Sequence, residues 1–210
     1  MLTDAKRSVE LEIFEMQQVF KDAAVRVVAR DGLDKVTTKA IAREAKLNEA
    51  YIYKCFENKD DLLNEALNME DANFAVLQEE LFPVIYDERL SYRERAYVIW
   101  KRSWDFILEE RDDCIFYIRF YFASIGLNHV YRKHMDAYWP LVERVRPLFK
   151  EGTNMEMLCH QVFCTMLFFA ARVMDGDLEN NEETTQWVFN QIDAFVTPNV
   201  RQDYFQKHEE

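Results

Sequence analysis

The chain has 210 residues, 49% of them hydrophobic, which allows one or two domains with a sizeable core. Four glycines and four prolines are too few for the turns of an all-β fold, so the composition predicts an all-α protein. A net charge of −12 argues against a protein coated in nucleic acid. No unbroken apolar run reaches the roughly 18 residues of a membrane span, and the first twenty residues do not read as a signal peptide; the expectation is a cytoplasmic protein without a membrane partner.

The first predicted helix runs from about Asp4 to Arg30. Its later part is apolar at helical spacing (Ile13, Val19, Phe20, Ala23, Ala24, Val27, Val28), while the stretch with Lys6, Arg7, Glu10 and Glu12 reads as a polar arm. Asp31-Gly32 stops it, Gly32 suiting a left-handed cap. Two short helices come next, between Val36 and Phe56. Thr37 is placed to cap the first, and Ile41, Ala42 and Ala45 share one face. Lys46 and Leu47 make the turn, Asn48 caps the second helix, and Ile52 and Phe56 point inward from it. Its outward side carries Glu49, Ala50, Tyr51, Tyr53 and Lys54. Two packed helices with a polar second helix form a helix-turn-helix, whose second helix enters the DNA major groove. From Val19 to Lys59 nine basic residues face six acidic ones, an excess of three positive charges on an otherwise acidic chain. That asymmetry fits specific, salt-sensitive DNA binding.

A long helix is then expected from Lys59 to about Leu81, with Asp60 and Asp61 in its first turn and Leu63, Leu67, Phe74, Leu77 and Leu81 along one stripe. Ser91 and Glu94 form a capping box for a helix reaching about Glu110, with Tyr97, Trp100, Trp104 and Ile107 on its inner face. Cys114–Ser124 is rich in aromatic and β-branched residues and fits a buried strand or a helix; helix is the choice because no partner strand is visible. Asn128–Trp139 is a further helix, and Pro140 and Pro147 are expected to break or kink its continuation. Asn154–Asp175 and a helix from Glu182 to Pro198 close the fold, and the polar tail from Asn199 is expected to fray.

The four cysteines (Cys55, Cys114, Cys159, Cys164) form no C-x-x-C pair and read as reduced, buried thiols; no metal and no cofactor is expected. An enzyme would need a nucleophile or an acid/base cluster. His129 and His134 stand five apart, no H-E-x-x-H or Ser-His-Asp signature occurs, and no catalytic residue is assigned. A helical protein-binding module that does not bind DNA is the other alternative, against which the intact caps and the local positive excess speak.

The stretch Val19–Leu63 resembles the tetracycline-repressor (TetR) family of bacterial transcription regulators. The resemblance rests on Ala23-Ala24, Asp31-Gly32-Leu33, Val36-Thr37-Thr38, Ile41-Ala42, Ala45, Tyr51-Ile52-Tyr53, Phe56 and Lys59-Asp60-Asp61-Leu62-Leu63. It implies a DNA-binding domain over residues 1–63 and a helical ligand-binding and dimerisation domain over 64–210. It further implies a repressor that binds a palindromic double-stranded operator as a homodimer. Thr38, Tyr53 and Lys59 would then contact phosphates, Lys39, Glu49, Ala50, Tyr51 and Lys54 would face the groove, and Asn48 would open the recognition helix. Two positions depart from the family pattern. Lys46 stands where glycine is common, so a non-glycine residue must adopt the left-handed conformation, at a cost on the order of 1 kcal/mol. Asn48-Glu49-Ala50 replaces Ser-x-Gly; Glu49 would either accept from a cytosine amino group or repel phosphate.

Two further expectations concern the larger domain. Trp100, Trp104, Phe116, Tyr117, Phe120, Tyr121 and Tyr138, with Phe163 and Met166, either fill a core or line a pocket; the family places an inducer there, and Arg119 nearby would suit a small, mostly hydrophobic or aromatic effector. The helices 154–175 and 182–197 are too apolar for one chain to cover, and are expected to form a four-helix interface across a two-fold axis.

Overall fold

The computed structural model describes residues 4–123 and 128–206, with side chains described for 9–123 and 135–205. His129, His134, Lys6 and Arg7 therefore lie outside the described side chains. The chain folds as two compact units: Met1–Ala72 with Ile115–His134, and Asn73–Cys114 with Met135–Glu210. The all-α expectation holds: among the described residues all regular secondary structure is helical, and the one isolated β-bridge joins Phe149 and Val200.

The first unit is built on α1 (Asp4–Asp31). Phe20, Ala23, Ala24, Val27 and Val28 are fully buried, as their spacing predicts, but Val19, expected on the same face, is exposed and Ile13 is half-buried. Alanines at 23 and 24 let other helices approach closely, and α1 packs against both α2 (Thr38–Ala45) and α3 (Ile52–Cys55), the latter entered through a 3-10 turn over Glu49–Tyr51. Val36, Ile41, Ala42, Ile52 and Phe56 close this small core together with Leu62, Leu63 and Ala66 from the start of α4 (Lys59–Leu81). Each large apolar side chain removed from water here contributes about 1.5–3 kcal/mol. From Ile115 onward α6 (Arg111–Ala123) also belongs to this unit, a placement that composition does not foretell. The arm is less polar than its sequence suggests: Val9, Leu11 and Phe14 stand exposed on α1.

The second unit holds the rest of α4, then α5 (Tyr92–Glu109), α7 (Asn128–Val145) from Met135, α8 (Met155–Met174), α9 (Glu182–Val196) and α10 (Gln202–Gln206). The capping box expected at Ser91 forms, and two asparagines not read as caps from the sequence cap α8 and α9. Ser91 and Glu94 form a reciprocal capping box, and the Asn154 and Asn181 side chains accept from the Met157 and Thr184 amides. α5 packs against both α8 and α9. Pro140 does not break α7. It is exposed, so the carbonyl left without its amide partner one turn earlier can turn to water, and the helix continues to Val145 before the 3-10 turn at Arg146–Leu148. The tail does not fray over its described part. Lys150 N donates to Asn199 O at 2.8 Å and Arg201 N to Leu148 O at 2.9 Å, and Val200 is buried. Beyond it, the Tyr204 hydroxyl donates to Ile85 O, and the buried Arg95 guanidinium lies 4.6 Å above the Tyr204 ring.

Candidate nucleic-acid interface

The turn between α2 and α3 is made without glycine. Lys46 takes φ 57°, ψ 32°. Its amide donates to Arg43 O at 3.2 Å and the Leu47 amide to Ala42 O at 3.1 Å, the paired bonds of a Schellman ending. On either side, the Thr37 hydroxyl accepts from Ala40 N at 3.1 Å and the Asn48 side chain from Ala50 N at 2.9 Å. Both short helices are therefore capped by the residues read from the sequence, and Ile52, fully buried, seats the second against the core.

Lys39, Asn48, Ala50, Tyr51, Tyr53 and Lys54 are exposed, with Tyr53 showing 59% of its surface. The Lys54 ammonium sits 4.7 Å from the centre of the Tyr51 ring, so the two candidate groove residues pair with each other. Glu49 and Thr38 are less free. The Thr38 hydroxyl donates to Glu49 Oε1 at 2.5 Å and lies 3.4 Å from the Tyr53 hydroxyl, tying the start of α2 to both ends of the recognition helix. In this arrangement the Thr38 hydroxyl proton is already used, and what α2 offers an approaching anion is its helix N-terminus. Lys59, half-buried, reaches Val36 O at 3.4 Å.

The charges behind this face are arranged to leave the lysines available. Arg26 and Arg30 both bond Glu44, at 3.1 and 2.8 Å, and Arg30 also holds Asp31. Hydrogen bonds from Arg30 and then Arg26 keep the Glu44 carboxyl below the usual range, and Arg30 does the same for Asp31. These pairs cancel two positive and two negative charges and leave the local excess of three unchanged. Cys55 lies at the end of α3, where the Gln17 side chain donates to its carbonyl at 3.1 Å; burial raises its thiol pKa.

The candidate effector residues divide between the two units. In the first, Phe116 stacks on Phe120 at 5.6 Å and Tyr117 on Tyr121 at 5.7 Å, all four buried. The Tyr117 hydroxyl donates to Asp71 Oδ1 at 2.7 Å. Arg119, expected beside a ligand, instead sends Nη1 to Val28 O at 2.9 Å and Ala29 O at 3.0 Å, where the negative end of the α1 dipole attracts a cation. In the second unit Trp100 stacks on Trp104 at 5.5 Å; both are buried, and neither indole N–H has an acceptor among the described residues. Phe74, which the sequence marked only as a core position, lies 6.0 Å from Tyr138 and 6.3 Å from Phe163 and joins them to Phe106. Phe189 packs against Trp100 at 5.5 Å, and Met166 is buried. Phe74 and Phe189 lie on α4 and α9, outside the middle helices from which most of the candidates were drawn.

On α8 and α9 one surface stays open. Met157, Phe168 and Trp187 expose 60%, 57% and 48% of their areas, and Phe169 links the latter two through edge-on ring contacts. Large apolar groups left in water on two adjacent helices mark an association surface.

Together the capped pair of short helices, the glycine-free turn and the exposed outer face of Lys39, Tyr51, Tyr53 and Lys54 define a helix-turn-helix protein. Residues 21–66 match the family described as bacterial regulatory proteins, tetR family. The match covers the N-terminal helix-turn-helix segment of the chain. It is 42% identical over 52 residues to the HTH-type nicotine-responsive transcriptional repressor HdnoR of Paenarthrobacter nicotinovorans, which covers 25% of this chain and 27% of that protein. The matched segments span 27%, 64% and 36% of the lengths of three curated relatives. Full-length likeness comes from solved structures. A TetR family transcription regulator from Marinobacter aquaeolei superposes with a TM-score of 0.68 at 17% identity, over 87% of this chain and 96% of that one. The transcriptional regulator FadR from Bacillus subtilis, in complex with stearoyl-CoA, gives 0.61 at 16% identity over 83% and 96%. At these identities the structures establish the shared fold.

Proposed function

We propose that this protein is a ligand-responsive transcriptional repressor of the cytoplasm: a homodimer binds a palindromic duplex operator and is released by a small hydrophobic or aromatic effector. The observation that carries this reading is the recognition helix. Its inner side is anchored by Ile52 and Phe56, and its outer side offers Tyr51, Tyr53 and Lys54 to a groove while Lys59 lies at the start of α4. Nothing in that outer face is needed to fill a core, and a basic, aromatic helix face suits DNA.

Dimerisation is supported by the open surface of α8 and α9. Met155–Met174 has the length and composition of a membrane-crossing helix and is only 22% buried in one chain. Pairing with a second copy covers its exposed residues without invoking a bilayer. An effector is supported by two buried indole N–H groups, Trp100 and Trp104, with no acceptor among the described residues. A buried donor left unpaired costs about 1–3 kcal/mol, which a ligand acceptor would recover. The effector is therefore read as a flat, largely apolar molecule carrying at least one hydrogen-bond acceptor. The structural neighbour FadR was solved with stearoyl-CoA, and HdnoR is named as nicotine-responsive, so the fold and the N-terminal sequence both occur in effector-bound or effector-responsive regulators. To release DNA, the effector must bind the released form better, with about 1.4 kcal/mol for each tenfold change in affinity.

Selection of bound fragments from a random duplex pool tests the DNA reading directly. A recovered palindrome with half-sites one turn apart, roughly 34–36 Å, is the expected result. Retention of no sequence above background overturns it. Tryptophan fluorescence tests the effector: compounds that quench it should also lower affinity for the recovered duplex, and quenching without that loss would refute the coupling.

A further inference from the structure

Two hydrogen bonds tie α6 to the end of α1. Arg119 Nη1 donates to Val28 O at 2.9 Å and Ala29 O at 3.0 Å, and Val28 O also accepts the Gly32 amide at 3.0 Å. These carbonyls stand in the last turn of a 28-residue helix, at the negative end of its dipole. A guanidinium there makes charge-assisted bonds that a neutral side chain would not. Only a short connection separates this point from the recognition helix. Gly32 takes φ 84°, a 3-10 turn spans Leu33–Lys35, Thr37 caps α2, and Thr38 is already bonded to Glu49 of the recognition helix. The far end of this connection is held by Lys59, through Val36 O. The segment that delivers α2 and α3 is thus fixed at one end by Arg119 and at the other by a candidate operator residue.

From this we infer that Arg119 is a positioning residue for DNA binding: through the end of α1 it sets the placement of α2 and α3. The inference rests on the DNA-binding reading above. Tyr117, two residues earlier, gives α6 a second hold by bonding Asp71 of α4. The helix that carries both ties begins at Arg111, in the other compact unit, as α4 ends there. Arg119 touches no DNA in this account and contributes no phosphate contact.

Arg119→Ala, Arg119→Lys and the unaltered protein provide the test, at a temperature where circular dichroism shows all three folded. Without DNA, hydrogen exchange at amides 30–45 should quicken in Arg119→Ala, while the amides of α5 and α9 keep their rates. Unchanged exchange at 30–45 overturns the inference whatever happens with DNA. With a duplex selected by the unaltered protein, Arg119→Ala should lose affinity on the order of tenfold, and its salt slope should stay the same. Arg119→Lys, which keeps the charge but donates as a point, should recover part of the loss. A slope reduced by about one unit would make Arg119 a phosphate contact and overturn the positioning role. Equal affinity of Arg119→Ala, despite quickened exchange, would also overturn it. Failure of the unaltered protein to retain any duplex refutes the DNA-binding reading and this role with it, and leaves the exchange result as a statement about α1 alone.

Discussion

The Thr38 hydroxyl donates to Glu49 Oε1 at 2.5 Å, so the first residue of α2 holds the one acidic side chain of the recognition helix. This bond bears on the two roles left open for Glu49. A carboxylate pinned at the helix start adds a negative charge near the phosphates. Glu49→Gln should therefore tighten binding to all duplexes several-fold and steepen the salt dependence. Gel-shift titrations at two salt concentrations measure both. A change of preferred base at one position, with no general gain, would instead make Glu49 a base reader.

Lys59 and Tyr51 should separate in the same assay. Lys59→Ala is expected to weaken binding to every sequence and flatten the salt slope by about one unit. Tyr51→Ala also removes the ring beneath Lys54 and should change which duplex is recovered from a random pool.

The open surface of α8 and α9 predicts a separable dimer. Phe168→Glu with Trp187→Glu places charge on two exposed rings, so the single chain should keep its helix content by circular dichroism. Light scattering at micromolar concentration should then report a monomer where the unaltered protein is a dimer. DNA affinity should fall with it, since one half-site is bound at a time.

Lys46 is the one non-glycine residue with positive φ among those described. Lys46→Gly relieves the side-chain penalty of the left-handed region but frees the unfolded chain. The expected net effect is a gain of up to about 1 kcal/mol in a urea titration, with no change in the preferred duplex.

Alkaline stability should reflect two shielded thiols, the buried Cys114 and the half-buried Cys159; of the four cysteines expected to be buried, Cys114 is the one that is, and the others are half-buried. Burial pushes Cys114 from the ordinary 9.0 up to about 12 and Cys159 up to about 11. Below the ordinary value both thiols are protonated in either state, and stability is unaffected. As pH rises above about 9 only the unfolded thiols ionise, so stability falls through the window that ends at the folded values. Melting temperatures measured between pH 8 and 10.5 should decline, and less steeply in Cys114→Ser.

Much of the DNA-binding module was legible because its signals are local. Thr37 and Asn48 cap through atoms two or three residues away, and Ile41, Ile52 and Phe56 mark their inward faces by spacing alone. The long helices were legible for the same reason, Ser91 with Glu94 being a complete start signal. The contacts that were not foreseen join distant parts of the chain. Arg119 and Val28 are 91 positions apart, and Tyr204 and Ile85 are 119 apart. Composition placed Arg119 among aromatics because its neighbours in sequence are aromatic. In space, its guanidinium answers the carbonyls of another helix. The tail misled for a similar reason: a polar composition describes its affinity for water but not the backbone bonds that Asn199 and Arg201 make with residues 148–150.

The outer face of the recognition helix has a practical corollary. Lys39, Ala50, Tyr51, Tyr53 and Lys54 stand clear of the buried set Ile41, Ala42, Ile52 and Phe56, and only the Thr38–Glu49–Tyr53 contacts link the two short helices across that face. If this face reads the bases as proposed, base preference and folding are written in largely separate alphabets. A library randomised at Lys39, Ala50, Tyr51 and Lys54 should yield mostly folded proteins, and the operator could be exchanged for another without redesign of the scaffold beneath it.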